Sequence, residues 1–169
     1  MLAEQHGFVH LPLGKLLKDP AIVDEIGIDP DAMACAIATG RTIRDPALFP
    51  WLDDKIHALP QVVVDGYPRG TGSLEPYTNL VSSLPPDRQA IALYLVCEPV
   101  HTRPRLTRRA RADDDDRLKA RDEEFETVQI PLFENLPPRV RQLRVDASAD
   151  VITVYEAVQR ALGMGNCPP

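Results

Sequence analysis

Residues 64–69, Val64-Asp65-Gly66-Tyr67-Pro68-Arg69, place an acid, a glycine and a cation at the end of an apolar run. An acid at the carboxyl end of a buried parallel strand stands where open α/β sheets place their ligands. Gly66 permits a sharp turn, Pro68 fixes it, and Arg69 follows within reach of the strand end. The planar guanidinium fork suits phosphate, to which it donates charge-assisted, often bidentate hydrogen bonds. The plainer reading is a surface arginine after an ordinary strand-to-loop turn, and residue types alone leave both open.

A second set is Arg103, Arg105, Arg108, Arg109 and Arg111, with Arg121 ten residues beyond the last. Like charges at this density repel unless anions neutralise them. Asp113 to Asp116 follow directly, so a self-neutralising solvated face is one reading. The other is a phosphate clamp. Phosphoryl transfer places charge on equatorial oxygens, and its catalysis is mostly positioning and electrostatic stabilisation. The histidines (His6, His10, His57, His101) have no metal-ligand spacing and read as surface or core residues. No Ser-His-Asp or Cys-His arrangement is visible in the spacing. Cys35 reads as a core residue of an apolar helix.

These residues need elements to position them. Residues 2–6 read as the last turn of a helix stopped by Gly7, and Phe8 to Leu11 as a short strand. Gly14 to Lys18 reads as a helical piece ending before Pro20. Asp29-Pro30 is a cap-plus-first-turn signal for a helix to Thr39, stopped at Gly40. Asp45-Pro46 repeats it, with Pro50 forcing a kink or a late start. Residues 61–66 and 89–96 are apolar runs expected to be strands buried on both faces. Residues 71–84 read as a helix interrupted by Pro76. Residues 100–111 read as partly helical, and 116–134 as helical with an interruption at Pro131. Val140 to Val145 alternates as a strand does, and 150–162 is a helix capped by Asp150 and ended by Gly163. Strands alternating with helices predict an α/β fold with a mainly parallel sheet.

The chain has 169 residues, 44% hydrophobic and 26% charged, with a net charge of −6. That length suits one domain with a sizeable core. The charge argues against a general nucleic-acid binder. No stretch is long and apolar enough to span a bilayer, and residues 1–11 lack signal-peptide features. Three widely spaced cysteines form neither a metal pattern nor a disulfide framework. A cytoplasmic location is the expectation.

The same residues resemble, in order as well as in motif, the adenylate kinases and related nucleoside monophosphate kinases. LAEQHGFVHLPLGKLLK resembles that family's LAEKYGFVHLSTGDLLR, and VVVDGYPR (62–69) its LLDGFPR signature. GRTIRD (40–45) resembles the turn that meets the acceptor base. RLTRR (105–109) resembles the first half of the lid, RLLGR, and RADD (111–114) its far arm. LRVDASADVITVYEAVQRALG resembles the last strand and helix. The resemblance implies a single kinase-like domain over 1–169, with an acceptor-nucleotide subdomain at 12–60 and a very short lid with its arms at 105–121. The implied fold is a three-layer P-loop-kinase-like parallel sheet flanked by helices. It would lack the first strand and the phosphate-binding loop.

The implied roles follow position by position. Lys18, Gly66 and Arg69 would hold the acceptor nucleotide, with Lys18 and Arg69 on its phosphate. Arg41, Thr42 and Ile43 would line its base. Arg105 and Arg109 would contact ATP. Arg111 and Arg121 would bridge the two nucleotides, so that Arg69, Arg109, Arg111 and Arg121 form the catalytic set. Asp113 and Asp114 would order the lid. Asp65 resembles the acid that orients Mg²⁺ through water. The implied cofactor is Mg²⁺ with ATP, without zinc. The implied partners are ATP and a nucleoside monophosphate, with neither nucleic acid nor membrane, and the implied state is a monomer.

The chain also departs from the pattern. Leu13 and Lys15 replace the family's Thr and Asp, Lys18 replaces an arginine, and Ser73 falls where a glutamine reads adenine. AMP is the first candidate acceptor, with CMP and UMP open. No GxxGxGK loop, which cradles donor phosphates, occurs in the 169 residues. The expectation is an N-terminally truncated product in which Met1 is an internal methionine. The native mass should then exceed 18.8 kDa by roughly 20–30 residues, the length of a strand, loop and helix. The alternative is a catalytically inactive nucleotide-binding or regulatory module of the same family. A third reading, in which the arginine run contacts nucleic acid or another polyanion, is opposed by Asp113 to Asp116 and by the net charge.

Overall fold

The computed structural model describes residues 1–39, 45–70, 72–98, 100–102, 105 and 123–164. The chain divides into two compact units. The first comprises Met1–Pro85 with Asp115–Pro137, the second Pro86–Asp114 with Pro138–Pro169. Both units are α/β, and each holds one parallel strand pair.

In the first unit, α1 (Leu2–His6) stops at Gly7, which takes the left-handed conformation at φ 70°. β1 (Val9–Pro12) leads directly into α2 (Leu13–Leu16). α3 (Pro20–Ile26) is a helix that the sequence reading left out. Its signals are nevertheless local: the Asp19 carboxylate accepts the Ala21 N–H at 3.0 Å, Pro20 opens the helix and Gly27 closes it. α4 (Pro30–Thr39) starts as expected, with Asp29 accepting the Asp31 N–H. α5 (Leu48–Ala58) starts late, so Pro50 falls in the first turn, where a missing N–H costs nothing. β2 (Val62–Asp65) follows, then α6 (Leu74–Ser83). Pro76 sits in the first turn of α6 and does not interrupt it. α7 (Phe125–Gln129) is a π-helical turn in which the Ile130 N–H reaches back to Phe125 O, and α8 (Ile130–Glu134) continues it. Pro131 has no N–H and its ring crowds the preceding turn, which accounts for the widened ladder just before it.

β1 and β2 pair in parallel, in the register Val9↔Val62 to Pro12↔Asp65. Leu13, Leu17, Val23, Ile28, Leu52 and Ile56 are among the buried residues that form the core beside them. The side chain of Glu25 joins α3 to α5. It accepts from Trp51 Nε1 at 2.9 Å and from Lys55 Nζ at 3.0 Å, and these bonds hold its carboxyl below the usual range.

The second unit contains β3 (Ile91–Val96), β4 (Arg141–Asp146) and α9 (Val151–Leu162). β3 and β4 pair in parallel from Ile91↔Arg141 to Val96↔Asp146. The Asp150 carboxylate caps α9 by accepting the Ile152 and Thr153 N–H groups, and Gly163 ends it at φ 74°. The Thr153 hydroxyl, which donates to Asp150 Oδ2 at 2.6 Å, and then those N–H groups hold the Asp150 carboxyl below its ordinary value.

Two expectations about burial are corrected. Val62–Val64 and Ile91–Tyr94 are half-buried rather than enclosed on both faces, and Leu95 is 50% exposed. Each strand has a single neighbour among the described residues, so part of its surface stays open. Cys35 is exposed, not a core residue. α4 is apolar nearly all round, so its sequence marks no inner face, and Met33 takes the buried position instead. No helix of the described residues is long and apolar enough to cross a membrane.

Candidate functional site

The carboxyl ends of β1 and β2 lie side by side, with Pro12 opposite Asp65. From β1 the chain turns at once into α2, and Lys18 lies just beyond that helix. From β2 it passes through Gly66 (φ 90°), a cis Tyr67–Pro68 bond, Arg69 and Gly70 (φ 90°). The positive φ at Gly66 and Gly70 explains why glycine stands there: a Cβ would strain the backbone at both points of the turn.

Packing fixes this loop. The Tyr67 ring meets Tyr77 edge-on at 5.6 Å and Phe49 at 6.3 Å. Ser73 is 2% exposed, and its hydroxyl donates to Gly70 O at 2.8 Å while its N–H reaches the same carbonyl. Burial pushes the Tyr77 hydroxyl up to about 12. Burial, then the negative charge of Asp53, pushes Tyr67 up further. Both phenols therefore stay neutral in the folded chain at pH values where an unfolded tyrosine ionises, near 10. Stability from this cluster is complete below pH 10 and lost as pH rises from 10 through about 12. Urea midpoints should fall between pH 9 and pH 11, and Tyr77→Phe should reduce that fall.

Against this fixed backbone, Lys18, Asp65 and Arg69 are exposed. Among the described residues none of the three side chains has a hydrogen-bond or ion-pair partner. A cavity of about 540 Å³ opens beside Lys18, between α3 and α4, with Leu17, Val23, Ile28 and Met33 in its lining and Asp24 and Asp29 also part of it. Arg69, just beyond the end of β2 and without a side-chain partner among the described residues, can receive an anion. Asp65 fits a hydrated Mg²⁺, which keeps several waters and takes one or two carboxylates together with substrate phosphates. It does not make a protein-only cage: no group of three or more metal-ligating side chains occurs among the described residues.

Of the sequence-derived site residues, Asp65, Gly66 and Arg69 follow one another at the carboxyl end of β2, whereas Lys18 lies beyond α2, beside the cavity between α3 and α4. Arg105 belongs to the second unit, where its guanidinium donates to three carbonyls of the loop before α9. The bonds run to Ala147 O (2.6 Å), Ser148 O (2.6 Å) and Ala149 O (2.7 Å). A lysine at this position has no planar fork to reach all three. Arg105→Lys should therefore lower the stability of the second unit by about 1–2 kcal/mol, read as an earlier denaturant transition. Arg41, Thr42, Ile43, Arg109, Arg111, Asp113, Asp114 and Arg121 lie outside the described residues.

One constellation escapes the sequence spacing. Ser83 Oγ lies 3.3 Å from His57 Nε2, and His57 Nδ1 is 2.9 Å from Asp53 O and 3.8 Å from the Asp53 carboxylate. It has the composition of a nucleophile triad but not the surroundings. The Ser83 hydroxyl donates to Leu80 O at 2.8 Å, and it stands at the carboxyl end of α6, where the helix dipole opposes an oxyanion. Its evident work is to join α5 to α6. No protein-family model matches the chain, and no curated protein matches it.

Proposed function

We propose that the chain is a nucleoside monophosphate kinase-like protein, acting in the cytoplasm, that transfers the terminal phosphoryl of ATP to a nucleoside monophosphate, AMP being the first candidate. The observation that carries this reading is Arg69, an exposed cation with no side-chain partner among the described residues, in the loop that leaves the carboxyl end of β2 beside β1. It is supported by the VVVDGYPR segment, whose turn is shaped by Gly66 and Gly70 and anchored by Tyr67. The α/β fold is compatible with a three-layer P-loop-kinase-like sheet.

In this reading Lys18 and Arg69 fix the acceptor phosphate. An acceptor oxygen attacks the terminal phosphorus of ATP, the new P–O bond forms, and the bond to ADP breaks with its electron pair leaving on ADP. The resemblance would assign donor contacts to Arg105 and Arg109, charge on the phosphoryl to Arg111 and Arg121, the base to Arg41, Thr42 and Ile43, and the lid to Asp113 and Asp114. Asp65 would hold a Mg²⁺ ion through its waters, and the ion would supply positive charge that offsets the phosphates.

A second reading is a nucleotide-binding or regulatory module that performs no transfer. It is favoured by Arg105, whose fork is held by the carbonyls of residues 147–149 rather than presented to a donor. ADP formation from ATP and AMP, measured with the purified chain, separates the two. Turnover abolished by Arg69→Ala supports the kinase. Monophosphate binding without turnover supports the module, and failure to bind any nucleoside monophosphate overturns both.

A further inference from the structure

The cavity between α3 and α4 has a charge pattern of its own. Its floor is apolar, with Leu17, Val23, Ile28 and Met33 in the lining. These four side chains belong to the core, so the floor is fixed before any ligand arrives. The charged lining is Lys18, Asp24 and Asp29, all three exposed. Local sequence sets their places. Asp24 lies in α3, which ends at Gly27 (φ 81°), where the chain turns toward α4. Asp29 precedes α4, and its Oδ1 accepts the Asp31 N–H at 3.0 Å, which orients the carboxylate. Lys18 lies just before α3. Among the described residues no ion pair joins Lys18 to either acid, although all three border one cavity.

One cation and two anions thus face the same apolar space without neutralising one another. A simple cation there is opposed by Lys18, and a simple anion by Asp24 and Asp29. A small zwitterion with an apolar body suits both. Its carboxylate accepts from Lys18 and its ammonium donates to Asp24 and Asp29, in charge-assisted hydrogen bonds. Its side chain covers the floor and leaves water. The cavity, at about 540 Å³, lies in the size range of small-ligand sites. We infer that it is a binding site for a free α-amino acid with a large apolar side chain. Neither Asp65 nor Arg69 lines the cavity, so loss of the strand-end site would leave this one standing. Lys18 serves one anion at a time, so the amino acid and a phosphate at Lys18 exclude each other.

The test is isothermal titration of the full purified chain, without nucleotide and at one ionic strength. The probes are L-phenylalanine, phenethylamine (no carboxylate), 3-phenylpropionate (no ammonium) and glycine (no apolar side chain). Phenylalanine should bind at least about tenfold more tightly than each of the other three. Lys18→Gln should weaken phenylalanine about tenfold and strengthen phenethylamine, from which it removes a repelling charge. Asp24→Asn should weaken phenylalanine and phenethylamine and spare 3-phenylpropionate. No binding of phenylalanine overturns the inference. Equal binding of phenylalanine and either singly charged analogue overturns it, as does a phenylalanine affinity unchanged in both variants.

Discussion

Replacing Arg69 with alanine should weaken nucleoside monophosphate binding about ten- to a hundredfold while leaving the denaturation midpoint nearly unchanged. The first figure follows from hydrogen bonds to a charged partner, worth about 1.5–3 kcal/mol each, at 1.4 kcal/mol per tenfold in affinity. The second follows from exposure: Arg69 has no described partner in the folded chain, and such surface substitutions stay within about 0.5 kcal/mol. Arg69→Lys should recover part of the affinity, because it restores the charge without the fork. Raising the salt concentration should weaken wild-type binding more than Arg69→Ala binding, since the exposed charge is screened. Titration calorimetry at two ionic strengths checks all of this. Equal binding by wild type and Arg69→Ala would remove Arg69 from the site.

Leu52→Ala should produce the opposite pattern, a large loss of stability from a residue remote from any ligand. Leu52 is 1% exposed and belongs to the core with Leu48, Ile56 and Leu80. Deleting its branch removes the transfer free energy of three carbons and leaves a cavity that helix packing closes only in part. The cost is about 2–5 kcal/mol, against a total of about 5–15 kcal/mol for a typical domain. The urea midpoint of the first unit should fall sharply. Leu95→Ala, at a residue 50% exposed, should shift the midpoint of the second unit far less. Similar shifts at the two positions would mean that Leu52 is not part of a close-packed interior.

The contrast between those leucines also shows what a sequence conveys and what it does not. Helix boundaries were legible wherever a cap is written locally: Asp29-Pro30, Asp150 and the stops at Gly7 and Gly163 all act over a few residues. Asp19-Pro20 carries the same signal, yet α3 is not expected from the sequence, because only three residues separate it from α2 and Pro20 reads as the stop of one helix rather than the start of the next. Burial was less legible. The run 61–66 looks enclosed because every residue type in it favours enclosure, but burial depends on what lies alongside the strand. At the candidate site, Arg69 was visible because its value lies in residue type and position after a strand. The engagement of Arg105 was not, since its partners are backbone carbonyls more than forty residues away and carbonyls are common to every residue. The contact of His57 with Ser83, 26 residues apart, is hidden for the same reason. The inward turn of the Ser73 hydroxyl, onto the carbonyl of Gly70, is likewise a fact of three dimensions.

The open surface of β3 bears on how the protein behaves at high concentration. Ile91–Val96 reads IALYLV, six residues without charge, proline or glycine, and Leu95 and Val96 are 50% and 41% exposed. Such a segment has the composition of strands that self-associate into cross-β stacks. Charged side chains, lysine above all, are the usual safeguard on an exposed edge, and none interrupts this run. The adjoining strand β4 carries Arg141 and Arg144, and the Arg144 guanidinium lies 5.9 Å from the Tyr94 ring, so repulsion between copies comes from the neighbour rather than from β3 itself. Colloidal stability should therefore depend on the net charge of −6 and on the charges that β4 places beside the run. Concentrated salt, which screens that charge, is the condition under which β3 would begin to pair with its own kind.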